Sequence, residues 1–247
     1  MCALTMLSEV GPSLQPHQLG VGVRGGSQVV GHAVRAGSAS TELVTLRLDI
    51  MNAFNSMSRS TMLEQLFERV PSLGPYAAYA YGLPSKLYVD GAPAGSAPLV
   101  SSDGMRQGDP SAPLMFALAL QPVLEVASGA HRDCSTVVYV DDICIQGPQQ
   151  AAECAFRHLC AGPLPLRLRV KPAICKLYGA DAAVATESAA NLGCQEDTPL
   201  VIAGTPAEKP TDRRRLTHVK VRLWRSGVCG QSRRPGCGLC GGFSGVV

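Results

Sequence analysis

The ten residues Thr136–Ile145 constrain this chain more than any others: TVVYVDDICI is apolar and β-branched on both sides of a central Asp141-Asp142. β-branched residues fit a pleated, half-buried surface, whereas Asp is depleted from strands and accepts turn geometry. The pattern therefore predicts a tight hairpin with the two acids at its tip. A further strand is expected at Leu43–Ile50, where LVTLRLDI sets Leu46, Leu48 and Ile50 on one face and Asp49 near the strand end. If strand and hairpin are neighbours in one sheet, Asp49, Asp141 and Asp142 meet. Such a cluster repels itself unless cations fill it. Hard divalent ions such as Mg²⁺ favour carboxylate and phosphate oxygens, and a pair held about 4 Å apart stabilises the attacking and leaving oxygens of a phosphoryl transfer. Adjacent aspartates are also common at turns simply because Asp tolerates the geometry, so the pair taken alone leaves an ordinary turn open.

Helical patterns fill the spaces between these strands. A loop around Gly25-Gly26 leads into a weakly helical stretch through Val29, Val30, Ala33 and Val34. Thr61 followed by Glu64 reads as a capping box, with Met62, Leu63, Leu66, Phe67 and Val70 at helical spacing until Pro71 and Gly74 end the run. Lys86–Val89 and Leu99–Ser101 read as a small β excursion with a turn at Asp90-Gly91. GMRQGDPSAP is loop, and the helix expected to begin near Leu114 is apolar on nearly all sides and so predicted to be buried. Ala151–Leu159 reads as a further helix, Leu164–Tyr178 as turn and strand, and Pro199–Ala203 as a last short strand. Strands and helices alternate without a dinucleotide-binding βαβ pattern, which makes α+β the expected class.

Composition sets the outer bounds. At 247 residues and 46% hydrophobic content the chain can bury a sizeable core. No uninterrupted apolar run reaches membrane-spanning length and no basic-flanked leader is recognisable, so an intracellular location, nuclear or cytoplasmic, without membrane contact is expected. The ten cysteines are scattered rather than framed as a disulfide scaffold and are expected to be free thiols. Residues 1–206 carry 13 Lys/Arg against 17 Asp/Glu, while 207–247 carry 9 against 2. A basic tail suits nucleic-acid phosphates, and it equally suits a solvated, disordered segment.

Three strings in order give these acids a context. LRLDIMNAFNSMSR, GMRQGDPSAPLMF and YVDDI resemble the successive palm motifs of reverse transcriptases, QLGVGVRGGSQVVGHAVR resembles the finger helix of the non-LTR (LINE-like) kind, and VIAGTP resembles the motif ahead of the thumb. The resemblance covers residues 14–206 and implies a polymerase palm, an antiparallel sheet with packed helices. It divides the chain into partial fingers at 1–40, a palm at 41–206 and a basic Gly/Cys-containing tail at 207–247. By that resemblance Asp49, Asp141 and Asp142 are catalytic acids and hold Mg²⁺, or Mn²⁺ in its place, with help from the Ile50 carbonyl; Asp49 and Asp141 are the more direct ligands. Phe54 would be the aromatic gate under the sugar that rejects a ribose 2′-OH, although on burial statistics alone it reads as a core phenylalanine. Gln107 and Gly108 would line the incoming nucleotide and template base, Arg106 would meet a phosphate, and Arg59 would brace the palm. The implied partners are an RNA template, a DNA primer and dNTPs.

Departures from the family pattern set the competing expectations. In the fourth palm motif, usually Leu-x-Leu-Asn-Pro-x-Lys-Cys, this chain reads LRLRVKPAICKLYG, so Ile174 stands where a lysine would donate a proton to pyrophosphate, leaving Lys171 or Lys176 as shifted substitutes. Further finger strands and a complete thumb are not recognisable, and a truncated copy is the expectation. The alternative is an inactive retroelement remnant that at most binds nucleic acid. An RNA-dependent RNA polymerase would need to admit ribonucleotides, against which Phe54 argues. Cys237, Cys240, Cys229 and His218 match no zinc-knuckle spacing, and zinc is not expected.

Overall fold

In the computed structural model, residues 10–196 are described except 39, 92, 94 and 162–165, together with the backbone of 201–202 and 205–206. Alternation builds the central sheet. In β1 (Leu43–Leu48), Val44, Leu46 and Leu48 are buried in the main core, and the intervening Thr45 and Arg47 point to the other face. The hairpin strands β4 (Ser135–Tyr139) and β5 (Asp142–Pro148) pair antiparallel, and β5 also pairs with β1 from Leu43↔Pro148 to Leu48↔Ile143. On the far side of β1 lies β6 (Lys176–Gly179), antiparallel, followed by a short parallel partner β7 (Gln195–Glu196). The order is thus β4-β5-β1-β6-β7, a sheet antiparallel everywhere but at its last pair. This is the α+β class expected from the sequence.

Each face of that sheet takes a helix layer. Helix α1 (Gly26–Ser38) covers the face of Cys144, which packs with Val30 and Val34. The opposite face meets the larger core, to which Phe116 of the long helix α5 (Ala112–Ala130) and Phe156 of α6 (Gln149–Ala161) contribute fully buried rings. Helix α5 (Ala112–Ala130) begins two residues earlier than expected, after Ser111, with Pro113 in its first turn, where a missing N–H costs nothing. It is apolar and long enough to cross a membrane by length and composition, but 61% of its most apolar window is buried inside the fold, so its apolarity serves the core.

Two local expectations need correction. The helix α3 (Arg59–Arg69), preceded by the single-turn α2 (Ala53–Ser56), starts before the predicted capping box: Ser58 is its N-cap and accepts from the Thr61 N–H at 3.4 Å. Thr61 is therefore in the first turn of the helix, because the serine three residues before it competes for the same role. The β excursion is real, and Asp90-Gly91 is a turn as expected, but the first strand, β2 (Ser85–Leu87), ends earlier than Val89, and eleven residues separate it from its partner β3 (Leu99–Ser101), so the turn lies within a long connection. Helix α4 (Gly74–Tyr81) precedes β2 and α7 (Ala182–Leu192) packs on β6. A last pair, β8 (Val201–Ile202) with β9 (Thr205–Pro206), matches the short strand expected near Pro199–Ala203. The tail 207–247 and its candidate zinc ligands lie outside the described residues.

Candidate active site

The three acids come from two adjacent strands. Because the β1–β5 register ends at Leu48↔Ile143, one further step sets Asp49 opposite Asp142, and Asp141 occupies the turn beside them. Tyr139 pairs with Asp142, so the two-residue turn is Val140-Asp141 and Asp142 is already the first residue of β5. That corrects the expected placement of both acids at the tip: only Asp141 is in the turn, since an antiparallel pair closes on whichever residues complete its register. Asp142 lies 3.6 Å from the Arg47 Nε, an ion pair on the α1 side of the sheet that sequence reasoning did not foresee. The Asp49 N–H donates to the Cys175 sulfur at 3.3 Å, and Cys175 is fully buried, which pins the end of β1 from behind.

Electrostatics agree with the geometry. Burial pushes the Asp141 carboxyl above its ordinary value, and the neighbouring charges of Asp142 and Asp49 push it further. Burial likewise raises Asp142, with Arg47 pulling it down in part and Asp49 opposing that pull. Three carboxylates sharing one sheet end are thus mutually unfavourable without a cation. Among the described residues no three His, Cys, Asp or Glu side chains close on a single point as a ready-made metal cage. Mg²⁺ does not require one, because it is ordinarily held by one or two carboxylates with substrate phosphates and water completing its octahedron. The donor set of hard oxygens fits such an ion. Ile50, whose side chain is buried, bridges to Val170 immediately after Asp49.

Phe54 lies on α2, five residues past Asp49, with its ring stacked on Phe116 at 4.8 Å between centroids and 24° between planes. It is half-buried, so one side is held by the core while part of the ring remains available. Its carbonyl accepts from the Met105 N–H at 2.7 Å, which ties the loop carrying Arg106, Gln107 and Gly108 to α2 at Phe54. Gly108 has φ +89° and no protein atom near where a Cβ would stand. The glycine is thus required by backbone conformation within this chain, rather than by close packing of the protein against it. Gln107 is exposed and, with Arg106 and Asp109 on this loop and Tyr76 and Tyr79 from α4, lines a cavity of about 600 Å³. Arg106 donates to Ser85 Oγ at 2.5 Å and lies over the Tyr81 ring.

Tyr81 was not singled out from sequence because a Tyr/Ala-rich segment carries no informative spacing. Its hydroxyl donates to Asp109 at 2.5 Å and its ring, 1% exposed, lies under both Arg59 and Arg106. Burial, with the Asp109 hydrogen bond, pushes the phenol up to about 12. Burial alone would raise Asp109 too, but hydrogen bonds from Ser111 and Tyr81 and the charge of Arg106 leave its carboxyl below the ordinary value. A carboxyl lowered in the fold contributes stability above its unfolded-state value and loses it as pH falls through the folded-state value. Asp109→Asn is accordingly expected to lower stability at neutral pH, where that contribution is fully present, and to flatten the acid limb of the stability curve below about pH 4; urea unfolding from pH 3 to 7 checks this. Lys176 pairs in register with Arg47, placing it on the strand beside Asp49, while Ile174 occupies a short 3₁₀ turn.

Fold and site together define an α+β protein with a carboxylate cluster at one end of an antiparallel-rich sheet, beside an aromatic ring and a polar loop. The family model described as reverse transcriptase (RNA-dependent DNA polymerase) matches residues 4–163, and the chain belongs to that family. No curated protein matches the chain. Among solved structures, the telomerase from Candida albicans in complex with a fragment of telomeric RNA is similar at 11% identity and a TM-score of 0.47, covering 72% of this chain. The chain spans 33% of the length of that telomerase chain.

Proposed function

We propose that this chain contains the palm, with part of the fingers, of a non-LTR (LINE-like) reverse transcriptase, extending a DNA primer along an RNA template with dNTPs. The domain boundaries proposed are fingers at 1–40, palm at 41–206 and a basic tail at 207–247. The observation that carries the reading is the strand register that sets Asp49 opposite Asp142 with Asp141 in the adjoining turn. A pair of Mg²⁺ ions, or Mn²⁺, when bound there would neutralise charge on the attacking and leaving oxygens. Asp49 and Asp141 are the assigned direct ligands with the Ile50 carbonyl, because Asp142 is partly satisfied by Arg47. In the reaction the primer 3′-OH attacks the α-phosphorus of a dNTP and pyrophosphate leaves. Gln107 and Gly108 line the incoming nucleotide and template base, and Arg106 meets a phosphate.

Phe54 selects the sugar by occupying the space of a 2′-OH. A smaller side chain opens that space, so Phe54→Val is expected to raise ribonucleotide use relative to deoxyribonucleotide use by about 10- to 100-fold, the range a few missing carbons give in a pocket. Single-nucleotide incorporation of UTP against dTTP measures the ratio. Stability should fall as well, because the stack on Phe116 is lost.

The reading is tested by primer extension on poly(rA)–oligo(dT) with dTTP and Mg²⁺, beside Asp49→Asn. Extension that disappears with the variant or with chelator supports it. No extension from soluble, folded protein favours an inactive remnant, a reading that the isoleucine at 174 also suits.

A further inference from the structure

The turn that carries Asp141 is held in a conformation its own residues disfavour. Val140 has φ +59°, one of three non-glycine residues with positive φ among those described. For a β-branched residue this is an outlier, and a two-residue hairpin turn with positive φ at its first position ordinarily takes glycine there. Something outside the hairpin must hold it.

The holding group is Gln18, a fully buried polar side chain. Its Nε2 donates to the Val140 carbonyl at 3.1 Å, and its Oε1 accepts from the Val140 N–H at 2.7 Å and from the Gly20 N–H at 2.9 Å. One carboxamide therefore satisfies both polar groups of the strained residue, as a partner strand would, and this pattern also sets which way the amide points. The segment that delivers it is itself docked on β4: the Leu19 N–H donates to Val138 at 2.7 Å, and the Val138 N–H donates to His17 at 2.9 Å. Gly20 completes the seat. A Cβ on it would stand 2.6 Å from the Val140 nitrogen and 2.7 Å from its Cγ2, so only glycine lets the two backbones approach.

A buried polar side chain that directs two of its three hydrogen bonds to one turn, and to the residue next to an acid of the site, is an unfavourable arrangement for stability alone, since glycine at position 140 would adopt the same turn without strain. We propose that Gln18 is a positioning residue for Asp141: by clamping Val140 it fixes the turn and with it the direction in which the Asp141 carboxylate leaves the sheet. The inference rests on the reading of Asp141 as a metal-holding acid.

Mn²⁺ alone, followed by electron paramagnetic resonance on the full chain, provides a readout that does not need activity. Gln18→Met keeps the length of the side chain and removes both hydrogen-bonding functions. It is expected to weaken Mn²⁺ binding at least fivefold, to raise the Mg²⁺ concentration for half-maximal extension similarly, and to lower kcat while KM for primer–template stays within twofold. Amide exchange at Val140 should accelerate while β5 remains protected. Gly20→Ala, which crowds the turn from the other side, should show the same signature with Gln18 intact. If Gln18→Met does not fold, Gln18→Glu, which accepts but cannot donate to the Val140 carbonyl, carries the same expectation. Folded variants with reduced thermal stability but wild-type Mn²⁺ affinity would overturn the proposal, leaving Gln18 a packing residue. If the wild type binds Mn²⁺ and the variants bind it less well, yet none extends a primer, the activity reading fails and the positioning role stands. If Asp141→Asn binds Mn²⁺ as the wild type does, Asp141 is no ligand and both fall.

Discussion

Asp141→Asn is expected to lower primer extension by about 10³-fold while leaving the metal-free fold at least as stable as the wild type. The first half follows from the metal-holding role proposed for Asp141 at the sheet end. Metal stabilisation of charge in a transferring phosphoryl group contributes several kcal/mol, and about 4 kcal/mol corresponds to a factor near 10³. The second half follows from the environment. Asp141 sits with Asp142 and Asp49, its carboxyl raised by burial and by those like charges, so neutralising it removes a repulsion that the protein bears without a cation. An amide is also close to the carboxylate in size, which leaves the turn backbone and the Gln18 contacts in place. Paired measurements, extension rate with Mg²⁺ and thermal unfolding in chelator, separate this outcome from misfolding. A variant that loses extension and unfolds earlier would assign Asp141 to the scaffold. Asp142→Asn provides the contrast: it breaks the ion pair with Arg47, so its stability gain should be smaller or absent.

Much of this architecture can be read along the chain, and the misses have physical causes. The hairpin of β4 and β5 is legible because β-branched residues flank a polar interruption. Its exact turn is not, because three consecutive residues, Val140, Asp141 and Asp142, can supply the two-residue loop and the choice depends on pairing with β1 and on Gln18, 122 positions away from Val140. The apolar helix α5 is legible by composition, since so few of its residues are polar, although its start at Ala112 reflects local loop geometry around Asp109 and Ser111. That Asp49 lies beside the hairpin was expected only conditionally; the sheet order β4-β5-β1 supplies the condition. Arg47, Tyr81 and Gln18 escaped notice because a buried or half-buried polar residue has no periodicity of its own. Its role depends on a partner distant in sequence, such as Asp109 for Tyr81. A guanidinium two residues before a candidate acid is a signal the sequence does carry, since it shares that acid's strand face.

The largest stability effect outside the apolar core is expected at Arg59, whose side chain links three elements. The residue is 6% exposed at the first position of α3. Its Nε donates to the Gly104 carbonyl at 2.7 Å, and its two terminal nitrogens reach the Ser101 carbonyl at 2.8 Å and the Ser101 hydroxyl at 2.9 Å. The guanidinium also lies 5.4 Å from the centre of the Tyr81 ring. Helix α3, the end of β3 and the loop leading to Gln107 are thus joined through one planar group. Burial first, and then the nearby Arg106, lower its basicity, with Tyr81 and Asp103 opposing them in part. Gly104 fits the same seat, since a side chain there would collide with the Asn55 backbone and its φ is +68°. Arg59→Met keeps the stem but removes every donor, leaving two backbone carbonyls short of partners. Buried hydrogen bonds to charged groups contribute about 1.5–3 kcal/mol each and do not add fully, so a loss of about 3 kcal/mol is expected. In a domain of this size that lowers Tm by roughly 6–12 °C. Arg59→Lys should recover less than half of the loss, because one ammonium cannot reach three acceptors laid out for a fork. Full recovery by lysine would mean that charge, and not the fork geometry, holds the loop. Because that loop carries Arg106, Gln107 and Gly108, Arg59→Met should also raise the KM for dTTP more than that for primer–template, which steady-state extension kinetics below the lowered Tm would measure.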